Sequence, residues 1–328
     1  MTASARPPGD PVLQPLGIGG LELERRVFMA PMAGITTSSF RRSVRRWGAG
    51  LVFTEMISAY GVHYDNRRTL DYFVHGEDER PLGFQLFGAD ADVLADAAGK
   101  AVEAGADLVD LNFACPVRKV VKTGAGAALL AEPDRAAAIV AAVARAAGAA
   151  SPRRPVPVTV KIRAGLREGD DLGPALAPRL VESGAAAVCI HPRTAAQLYR
   201  GRADHAVTFA LAAALPVPVV ASGDVDGRDA VLRLLDGGAA AVMLARGAVG
   251  APWLFAQALG APEPPDDDKL AEVRRFTAEV FAELHDRAVG HLRQFWGKFR
   301  RSGALDKPLA LELMRARDEA SVRVLLGL

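Results

Sequence analysis

Short apolar runs recur along the chain and alternate with longer alanine-rich stretches. Eight of these runs are nearly continuous in their apolar residues, at positions 27–31, 51–55, 82–87, 108–112, 156–162, 187–191, 217–222 and 240–245. Such runs are typical of parallel strands that are buried on both faces, whereas half-exposed strands alternate apolar and polar residues. The pattern therefore predicts eight buried parallel strands.

The stretches between the predicted strands have the spacing of helices. We predict helices over residues 90–104, 133–147, 172–183 and 226–235. Gly105 and Gly184 follow two of them, at the position where a left-handed glycine commonly ends a helix. Eight strand–helix units over about 230 residues fit a closed (β/α)₈ barrel. The alternative, an open doubly wound sheet, is disfavoured because no GxGxxG motif follows the first strand.

The two ends of the chain have different patterns. The first dozen residues are rich in Pro, Gly and Ala and are expected to fray. Residues 260–268 have the composition of a linker, and residues 269–328 have helical spacing with no convincing strand. We therefore expect an α/β fold, with a TIM-barrel catalytic domain over residues 1–260 and a small all-helical domain over residues 261–328.

Composition narrows the class of protein. Half of the residues are hydrophobic and the net charge is only +2, which excludes a disordered chain and a uniformly basic nucleic-acid wrapper. Two cysteines are too few for a disulfide framework or a cysteine-rich zinc site, so we predict no metal. The first residues lack the apolar core of a signal peptide, and no stretch is long and apolar enough to span a bilayer. We expect a cytoplasmic protein without a membrane partner.

Polar or small residues lie at the ends of at least six predicted strands. In TIM barrels the working residues lie at the carboxyl ends of the strands and in the loops that follow them. The residues at these positions are Pro31, Met32, Ala33, Gln85, Asn112, Cys115, Lys161, Arg163, His191, Arg193, Ser222, Gly223, Asp224, Ala245 and Arg246. The small residues of the last two strands predict a phosphate site built from backbone N–H groups, with Arg246 as a charged donor. The alternative is that these glycines only form tight turns.

Two strand residues have open interpretations. Lys161 lies in an apolar strand, where it either forms an ion pair with Asp110 or Glu55 or faces a ligand such as a flavin ring. Gln85 offers one donor group and one acceptor to the imide edge of such a ring, but a hydrogen-bonded core amide explains it equally well.

The two cysteines differ in their surroundings. Cys189 lies inside a strand and is predicted to be a small buried hydrophobe. Cys115 lies just beyond a strand end and before Pro116. A thiol with a pKa of about 8.5 is mostly protonated at neutral pH, so it can act as a general acid as well as a nucleophile. No His–Asp pair lies beside Cys115 in the sequence, which favours the acid.

From about Val12 to its C-terminus the chain resembles the bacterial tRNA-dihydrouridine synthases. The most specific stretches are DLNFACPVRKVVKTGAGAALL and IHPRTAAQLYRG, supported by APMAGITTSSFR, FTEMIS, FQLFG, VKIRAG, SGDV and ARGAVGAPWLF. The phosphate glycines alone are shared with many barrels. Three motifs depart from the family pattern: Phe113-Ala114 replaces Met-Gly, Ser222 replaces Asn, and Ala245 replaces Gly. The shorter Ser222 side chain weakens the case for its direct cofactor contact.

The resemblance implies a cofactor, a reaction and a set of site residues. It implies FMN, reduced by NADPH, and reduction of the C5=C6 bond of tRNA uridines to 5,6-dihydrouridine, with Cys115 as the proton donor. FMN contacts are implied at Pro31, Met32, Ala33, Gln85, Asn112, Lys161, His191, Ser222, Gly223, Asp224, Ala245 and Arg246. Substrate contacts are expected at Asn112, Arg163 and Arg193. His191 and Arg193 can stabilise charge on the base carbonyls, or serve phosphate or structural contacts instead.

The C-terminal segment has the charge pattern of an RNA contact. Residues 287–301 contain five Arg or Lys residues and no acids, interleaved with Phe295, Trp296 and Phe299. We expect the aromatics to be core and the cations, including Arg300 and Arg301, to contact tRNA phosphates. Arg118, Lys119 and Lys122 beside Cys115 are further candidates. A merely solvated basic face is the alternative.

Two other functions compete with this hypothesis. One is an FMN-dependent barrel that acts on a free pyrimidine, similar to a dihydroorotate dehydrogenase, which leaves the basic tail unexplained. The other is a non-catalytic tRNA-binding protein, which leaves Cys115, Lys161 and Arg246 unexplained. We expect a monomer.

Overall fold

The computed structural model describes residues 9–328. Residues 1–8 of the segment expected to fray lie outside the described part. The prediction is wrong for the rest of that segment, because Pro11–Leu13 form a 3₁₀ turn in which Val12 is fully buried. Asp10 anchors this turn through an ion pair with Arg228, 2.8 Å away.

Within residues 9–328, eleven strands form a hairpin and a barrel. The hairpin consists of β1 (Leu16–Ile18) and β2 (Leu21–Leu23), which pair antiparallel. The barrel strands are β3 (Val27–Met29), β4 (Val52–Phe53), β5 (Ile57–Ser58), β6 (Leu82–Phe87), β7 (Leu108–Phe113), β8 (Val158–Arg163), β9 (Ala187–His191), β10 (Val219–Ser222) and β11 (Ala241–Leu244). The predicted second strand is thus shorter than expected, and β5 and the hairpin are additions to the prediction.

The barrel strands are all parallel and close into a ring. Their order is β3-β11-β10-β9-β8-β7-β6-β4, with β5 beside the far end of β6. A parallel bridge between Phe28 and Leu51, with Met29 N donating to Leu51 O at 2.8 Å, joins the first and last strands of this order. The predicted TIM barrel is confirmed. All carboxyl strand ends therefore lie on one rim.

Helices follow most of the barrel strands, and further helices come after the last barrel strand. They are α1 (Ser38–Arg46), α2 (Ala59–His63), α3 (Arg67–Leu70), α4 (Ala91–Glu103), α5 (Arg118–Val121), α6 (Pro133–Ala150), α7 (Leu172–Glu182), α8 (His205–Ala214), α9 (Arg228–Asp236), α10 (Leu254–Ala258), α11 (Asp266–Leu284), α12 (Ala288–Arg301), α13 (Lys307–Arg315) and α14 (Glu319–Leu326). The four predicted helices are present with ends shifted by a few residues. Gly105 and Gly184 follow α4 and α7 with φ of +102° and +109°, as their cap positions require.

The barrel interior is apolar at one end and polar at the other. Phe28, Phe53, Cys189 and Met243 pack together inside it, and the hairpin closes this end with Ile18 and Leu23. The prediction that Cys189 is a buried hydrophobe is therefore confirmed. Because strand side chains alternate between faces, residues two positions further along these strands, such as Glu55 and His191, point to the same side near the opposite rim.

The C-terminal helices pack against the barrel through α1. Helix α11 begins at Asp266, so the last three residues of the predicted linker instead form its acidic first turn, where carboxylates favour the helix dipole. Phe40 of α1 lies 6.2 Å from Phe276 and 5.8 Å from Phe295, measured between ring centroids. The predicted all-helical segment is confirmed. No helix of residues 9–328 combines the length and apolarity that crossing a bilayer requires.

Candidate functional site

The turn after β3 lies at the mouth of the barrel and is held from two sides. Thr36 accepts a hydrogen bond from Met32 N at 3.2 Å, and Gly34 adopts a left-handed φ of +71°. Glu55 accepts a hydrogen bond from Gly34 N, while Gln294 of α12 donates to Gly34 O at 2.9 Å. The predicted contact residues Pro31, Met32 and Ala33 are thus partly or fully exposed on a turn that the helical segment touches directly.

A hydrogen-bonded chain of buried polar groups spans the three adjacent strands β6, β7 and β8 beneath the mouth. Gln85 donates to Asp110 at 2.6 Å and accepts from Asn112 at 2.8 Å. Thr159 donates to the other oxygen of Asp110 at 2.6 Å. Burial raises the pKa of Asp110 to about 6, although these hydrogen bonds and the charge of Lys161 oppose that rise. Gln85 is thus a hydrogen-bonded core amide in the protein alone, the alternative that the sequence left open.

Lys161 is buried, and the described part of the chain provides no ion-pair partner for it. Its side chain is 8% exposed, and among residues 9–328 the salt bridges include neither Lys161 with Asp110 nor Lys161 with Glu55. It lies beside Asn112 on one neighbouring strand and Cys189 on the other. A buried ammonium without a carboxylate is costly, so this group fits a bound anionic or electron-rich partner.

Cys115 lies half-buried in the loop after β7. Asn112 organises this loop, because its Oδ1 accepts hydrogen bonds from Cys115 N at 2.8 Å and Ala114 N at 3.1 Å. Burial raises the pKa of the Cys115 thiol, while Val117 N and the charge of Arg163 oppose the rise. The thiol is therefore protonated at neutral pH, as a general acid must be.

Arg163, a predicted substrate contact, is buried and hydrogen-bonded to carbonyls of two loops. Its side chain is 2% exposed, and it donates to Ala114 O at 2.9 Å and to Thr194 O and Leu198 O at 3.0 Å each. Through these bonds of Nε and Nη1, Arg163 connects the Cys115 loop to the loop after β9. The predicted substrate contact of Arg163 stays a prediction.

His191, Arg193 and Asp224 form a connected group. Arg193 is 2% exposed and contacts both oxygens of Asp224, at 2.8 and 2.7 Å. It also lies 3.2 Å from His191 Nε2, which must accept because a guanidinium only donates. Burial lowers the pKa of His191 to about 2, and four nearby cations contribute smaller shifts in the same direction. His191 is therefore neutral, with its proton on Nδ1 and available as a donor. Of the two roles left open for Arg193, this favours the structural one.

The end of β10 forms a shallow backbone cradle. Ser222 is buried, and Gly223 has a left-handed φ of +114°. A Cβ on Gly223 would lie 3.0 Å from His191 Cδ2, so only glycine fits without displacement. Asp224 also has a positive φ, +51°, and accepts from Ala203 N at 2.8 Å. These features bring backbone close to the mouth, as a phosphate site requires.

Arg246 and Tyr199 stand together beside this cradle. Arg246 follows Ala245 at the end of β11, is exposed, and has its guanidinium 4.4 Å from the ring centroid of Tyr199. Tyr199, 55% exposed, also lies 5.8 Å from the Arg163 guanidinium. No salt bridge within the described part of the chain includes Arg246, so its charge is available to an anion.

The predicted RNA-contact cations are exposed. Arg118, Lys119 and Lys122 lie on or beside α5, which follows the Cys115 loop, and Arg300 and Arg301 end α12. None of these five residues takes part in a salt bridge with another of residues 9–328. Phe295, Trp296 and Phe299 are buried, which confirms that the aromatics are core.

Several important residues were missed in the sequence. Tyr199 lies in a loop where no spacing marks it, and the roles of Glu55 and Gln294 depend on a glycine far away in the chain. Asp110 had a signal, an acid inside an apolar strand. It was predicted only as an ion-pair candidate for Lys161, whereas in the structure it hydrogen-bonds to Gln85 and Thr159.

Comparison with known proteins gives a consistent picture. The family model described as dihydrouridine synthase matches residues 28–306. A tRNA-dihydrouridine synthase B of Pseudomonas aeruginosa is 36% identical over 272 residues, covering 82% of this chain and 80% of the relative. A probable tRNA-dihydrouridine synthase of Rhodobacter capsulatus is 36% identical over 322 residues, covering 95% and 96%.

Solved structures share the fold at low sequence identity. Morphinone reductase in complex with tetrahydroNAD superposes with a TM-score of 0.55 and 18% identity, covering 78% of this chain and 92% of that one. A 6-hydroxypseudooxynicotine amine oxidase from Pseudomonas geniculata gives a TM-score of 0.61 with 14% identity, covering 85% and 52%. These likenesses support the barrel fold.

Proposed function

Because the chain belongs to the dihydrouridine synthase family, we propose that it is an FMN-dependent tRNA-dihydrouridine synthase. In this proposal NADPH is the reductant, and the C5=C6 bond of a tRNA uridine becomes 5,6-dihydrouridine. The observation that carries the proposal is the position of the Cys115 thiol. It lies at the carboxyl end of β7, on the same rim as the Gly223 cradle and Arg246, and burial keeps it protonated.

The residues at the mouth fit a flavin mononucleotide. Lys161, which has no ion-pair partner among residues 9–328, can face the electron-rich edge of the ring, and His191 Nδ1 offers a further donor. Ser222, Gly223, Asp224, Ala245 and Arg246 surround a place for the phosphate, where backbone N–H groups and one free guanidinium meet. Pro31, Met32 and Ala33 would flank the ring. Gln85 and Asn112 would contact the ring only with the side of their hydrogen-bonded network that faces the mouth.

The chain's own residues supply the second half of the reaction. A bound reduced flavin supplies the hydride that adds to C6 of the uracil. The Cys115 thiol then gives its proton to C5, so the double bond receives one hydride and one proton, and the thiolate regains a proton from water. Arg163 lies near enough to favour the thiolate electrostatically, which assists the transfer. Cys115 is the proposed catalytic residue, and Asn112 positions it.

The substrate must present an unstacked uridine at the mouth. Bases become accessible to such pockets only after they leave the RNA stack. We propose that residues 1–260 bind the base and residues 261–328 hold the remaining tRNA, with Arg300, Arg301, Arg118, Lys119 and Lys122 contacting phosphates. These cations are exposed and form no ion pair with any residue from 9 to 328, which supports this role.

The direct test is a product assay with the purified protein. We expect a yellow protein that, with NADPH and unmodified tRNA, forms dihydrouridine detectable as a nucleoside heavier by two hydrogens than uridine. Free uridine and free pyrimidines serve as controls and should not react. A colourless protein that binds tRNA without product, or turnover of a free pyrimidine without RNA, would refute the proposal.

A further inference from the structure

One buried carboxylate has no part in the proposed reaction and yet connects to the reacting loop. Asp110 is 1% exposed and lies inside the barrel below the mouth. Three successive hydrogen bonds lead from it to the backbone of Cys115: Gln85 to Asp110 at 2.6 Å, Asn112 to Gln85 at 2.8 Å, and Cys115 N to Asn112 at 2.8 Å. Gln85 lies on β6, and Asp110 and Asn112 lie on the neighbouring strand β7, where the register pairs Gln85 with Asp110.

The chemistry of the groups fixes the direction of this chain. The backbone N–H of Cys115 can only donate, so Asn112 must turn its oxygen toward the loop and its NH₂ toward Gln85. Gln85 must then accept with its oxygen and donate with its NH₂, which needs an acceptor beyond it. Asp110 is that acceptor. A side-chain amide with only one end fixed could be reversed, whereas here both ends agree.

We propose that Asp110 is a positioning residue for Cys115, acting through Gln85 and Asn112. This inference rests on the proposed function only in naming Cys115 as the proton donor. The Cys115 loop has other supports, because Arg163 holds Ala114 O and Ala127 N donates to Cys115 O at 3.0 Å. Asn112 is the side chain that holds the N–H of Cys115 itself, so the orientation of its amide determines where the thiol lies.

A double-mutant cycle of near-isosteric changes tests the direction of the hydrogen bonds. In Asp110→Asn the new oxygen still accepts from Gln85, and the new NH₂ faces the Thr159 hydroxyl, which can turn to accept. In Gln85→Glu the introduced carboxylate faces the carboxylate of Asp110, and the hydrogen bond from position 85 to position 110 is lost. Combining them restores the pairing, because the asparagine can donate to the introduced glutamate, which still accepts from Asn112.

The readout is the alkylation rate of Cys115, measured by peptide mass in the intact holoprotein at about pH 9, where two facing carboxylates most readily lose a shared proton. Cys189 is the internal control, because it is buried and its pKa is raised to about 12. Turnover on tRNA is measured in parallel. The Gln85→Glu variant and the double variant share any changed cofactor contact at position 85, so their comparison isolates the effect of position 110.

We expect Asp110→Asn to stay within about twofold of wild type in both measurements. Gln85→Glu should alkylate roughly tenfold faster and turn over roughly tenfold more slowly, the size of effect that loss of supporting hydrogen bonds produces at other sites. The double variant should return to within about threefold of wild type, whereas independent effects would leave it at the Gln85→Glu level.

Three results would overturn the inference. They are a double variant no better than Gln85→Glu, an Asp110→Asn variant as impaired as Gln85→Glu, and a Gln85→Glu variant with wild-type alkylation. The alkylation readout requires no product, so it tests the positioning of Cys115 even if wild-type protein forms no dihydrouridine. Wild-type protein that forms no dihydrouridine would refute the proposed function alone.

Discussion

At the scale of single residues, the environment of Cys115 determines its chemistry. Burial raises the pKa of its thiol, and burial together with four cations keeps His191 neutral. The thiol is therefore protonated near neutral pH, which fits the proposed acid role. This follows from the burial of the loop, which the sequence around Cys115 does not show.

The raised thiol pKa predicts a pH profile. The acid must be protonated, so turnover should be constant through neutral pH and fall as the pH rises through the folded pKa, above about 8.5 where an ordinary thiol titrates. His191 should add no acidic limb above about pH 5, because its pKa is about 2. The measurement is kcat against pH for wild type and Cys115→Ser, whose hydroxyl does not ionise in this range. A rate that rises as the thiol ionises would contradict the acid role.

Gly223 predicts a second residue-scale effect. Alanine there must adopt a φ of +114° and place its Cβ 3.0 Å from His191. We expect Gly223→Ala to cost about 1–3 kcal/mol locally and to weaken flavin retention, because strain of that size accompanies such backbone conformations. Fluorescence titration with FMN measures this. Gly227→Ala, where no atom lies within 4 Å, is the control. Equal FMN affinity in both variants would contradict the proposed phosphate site at Gly223.

The places of candidate site residues were predictable from the sequence where local position decides them. Cys115 and Gly223 directly follow strand ends, and Lys161 lies in the second half of β8. Arg163 was assigned to the substrate, yet its partners are carbonyls of two other loops, including Ala114 O and Thr194 O. Which polar strand residue faces a ligand and which faces its neighbours depends on contacts between distant parts of the chain.

At the scale of elements, helix α1 depends on the C-terminal segment. Thr37 provides no side-chain cap, and Glu283 of α11 instead accepts from Ser38 N at 2.9 Å and Ser39 N at 2.7 Å. We expect Glu283→Ala to lower the free energy of unfolding by about 1–2 kcal/mol, the usual cost of a lost cap. Urea unfolding measures it, with the exposed Glu312→Ala as control. Equal stability of the two variants would contradict this capping role.

The end of α12 carries the element-scale prediction for RNA binding. Reversing Arg300 and Arg301 to Glu should weaken tRNA binding and reduce the slope of log affinity against log salt by about one for each lost phosphate contact. Arg145→Glu with Arg153→Glu makes the same charge change on α6 and the loop before β8, away from the mouth. If both pairs of substitutions change the salt slope equally, the proposed contact between the end of α12 and tRNA is wrong.

At the scale of the whole molecule, the barrel was predictable from the sequence because its eight buried strands share one pattern, a short and nearly continuous apolar run. The sequence did not predict the hairpin that closes the bottom, since three-residue strands carry too few positions to show a period. Nor did it show how the C-terminal helices dock. Arg46 of α1 reaches Glu272 at 2.6 Å and Glu279 at 2.9 Å, contacts between positions more than two hundred residues apart.

This docking joins the two proposed functional regions. Gln294 of α12 contacts the turn after β3, so the segment proposed to hold tRNA also touches the turn proposed to flank the flavin. A substrate bound across both regions would therefore have its base and its backbone held by one packed unit, which positions the uridine relative to Cys115.

The central claim is that Cys115 supplies the proton, and one measurement tests it most directly. Cys115→Ala protein whose bound flavin has been fully reduced with NADPH is mixed with unmodified tRNA, and dihydrouridine formation is followed over time. We predict normal flavin binding and reduction but product formation slowed by about a hundredfold or more, the range for loss of a general acid. Product formation at the wild-type rate would contradict the account.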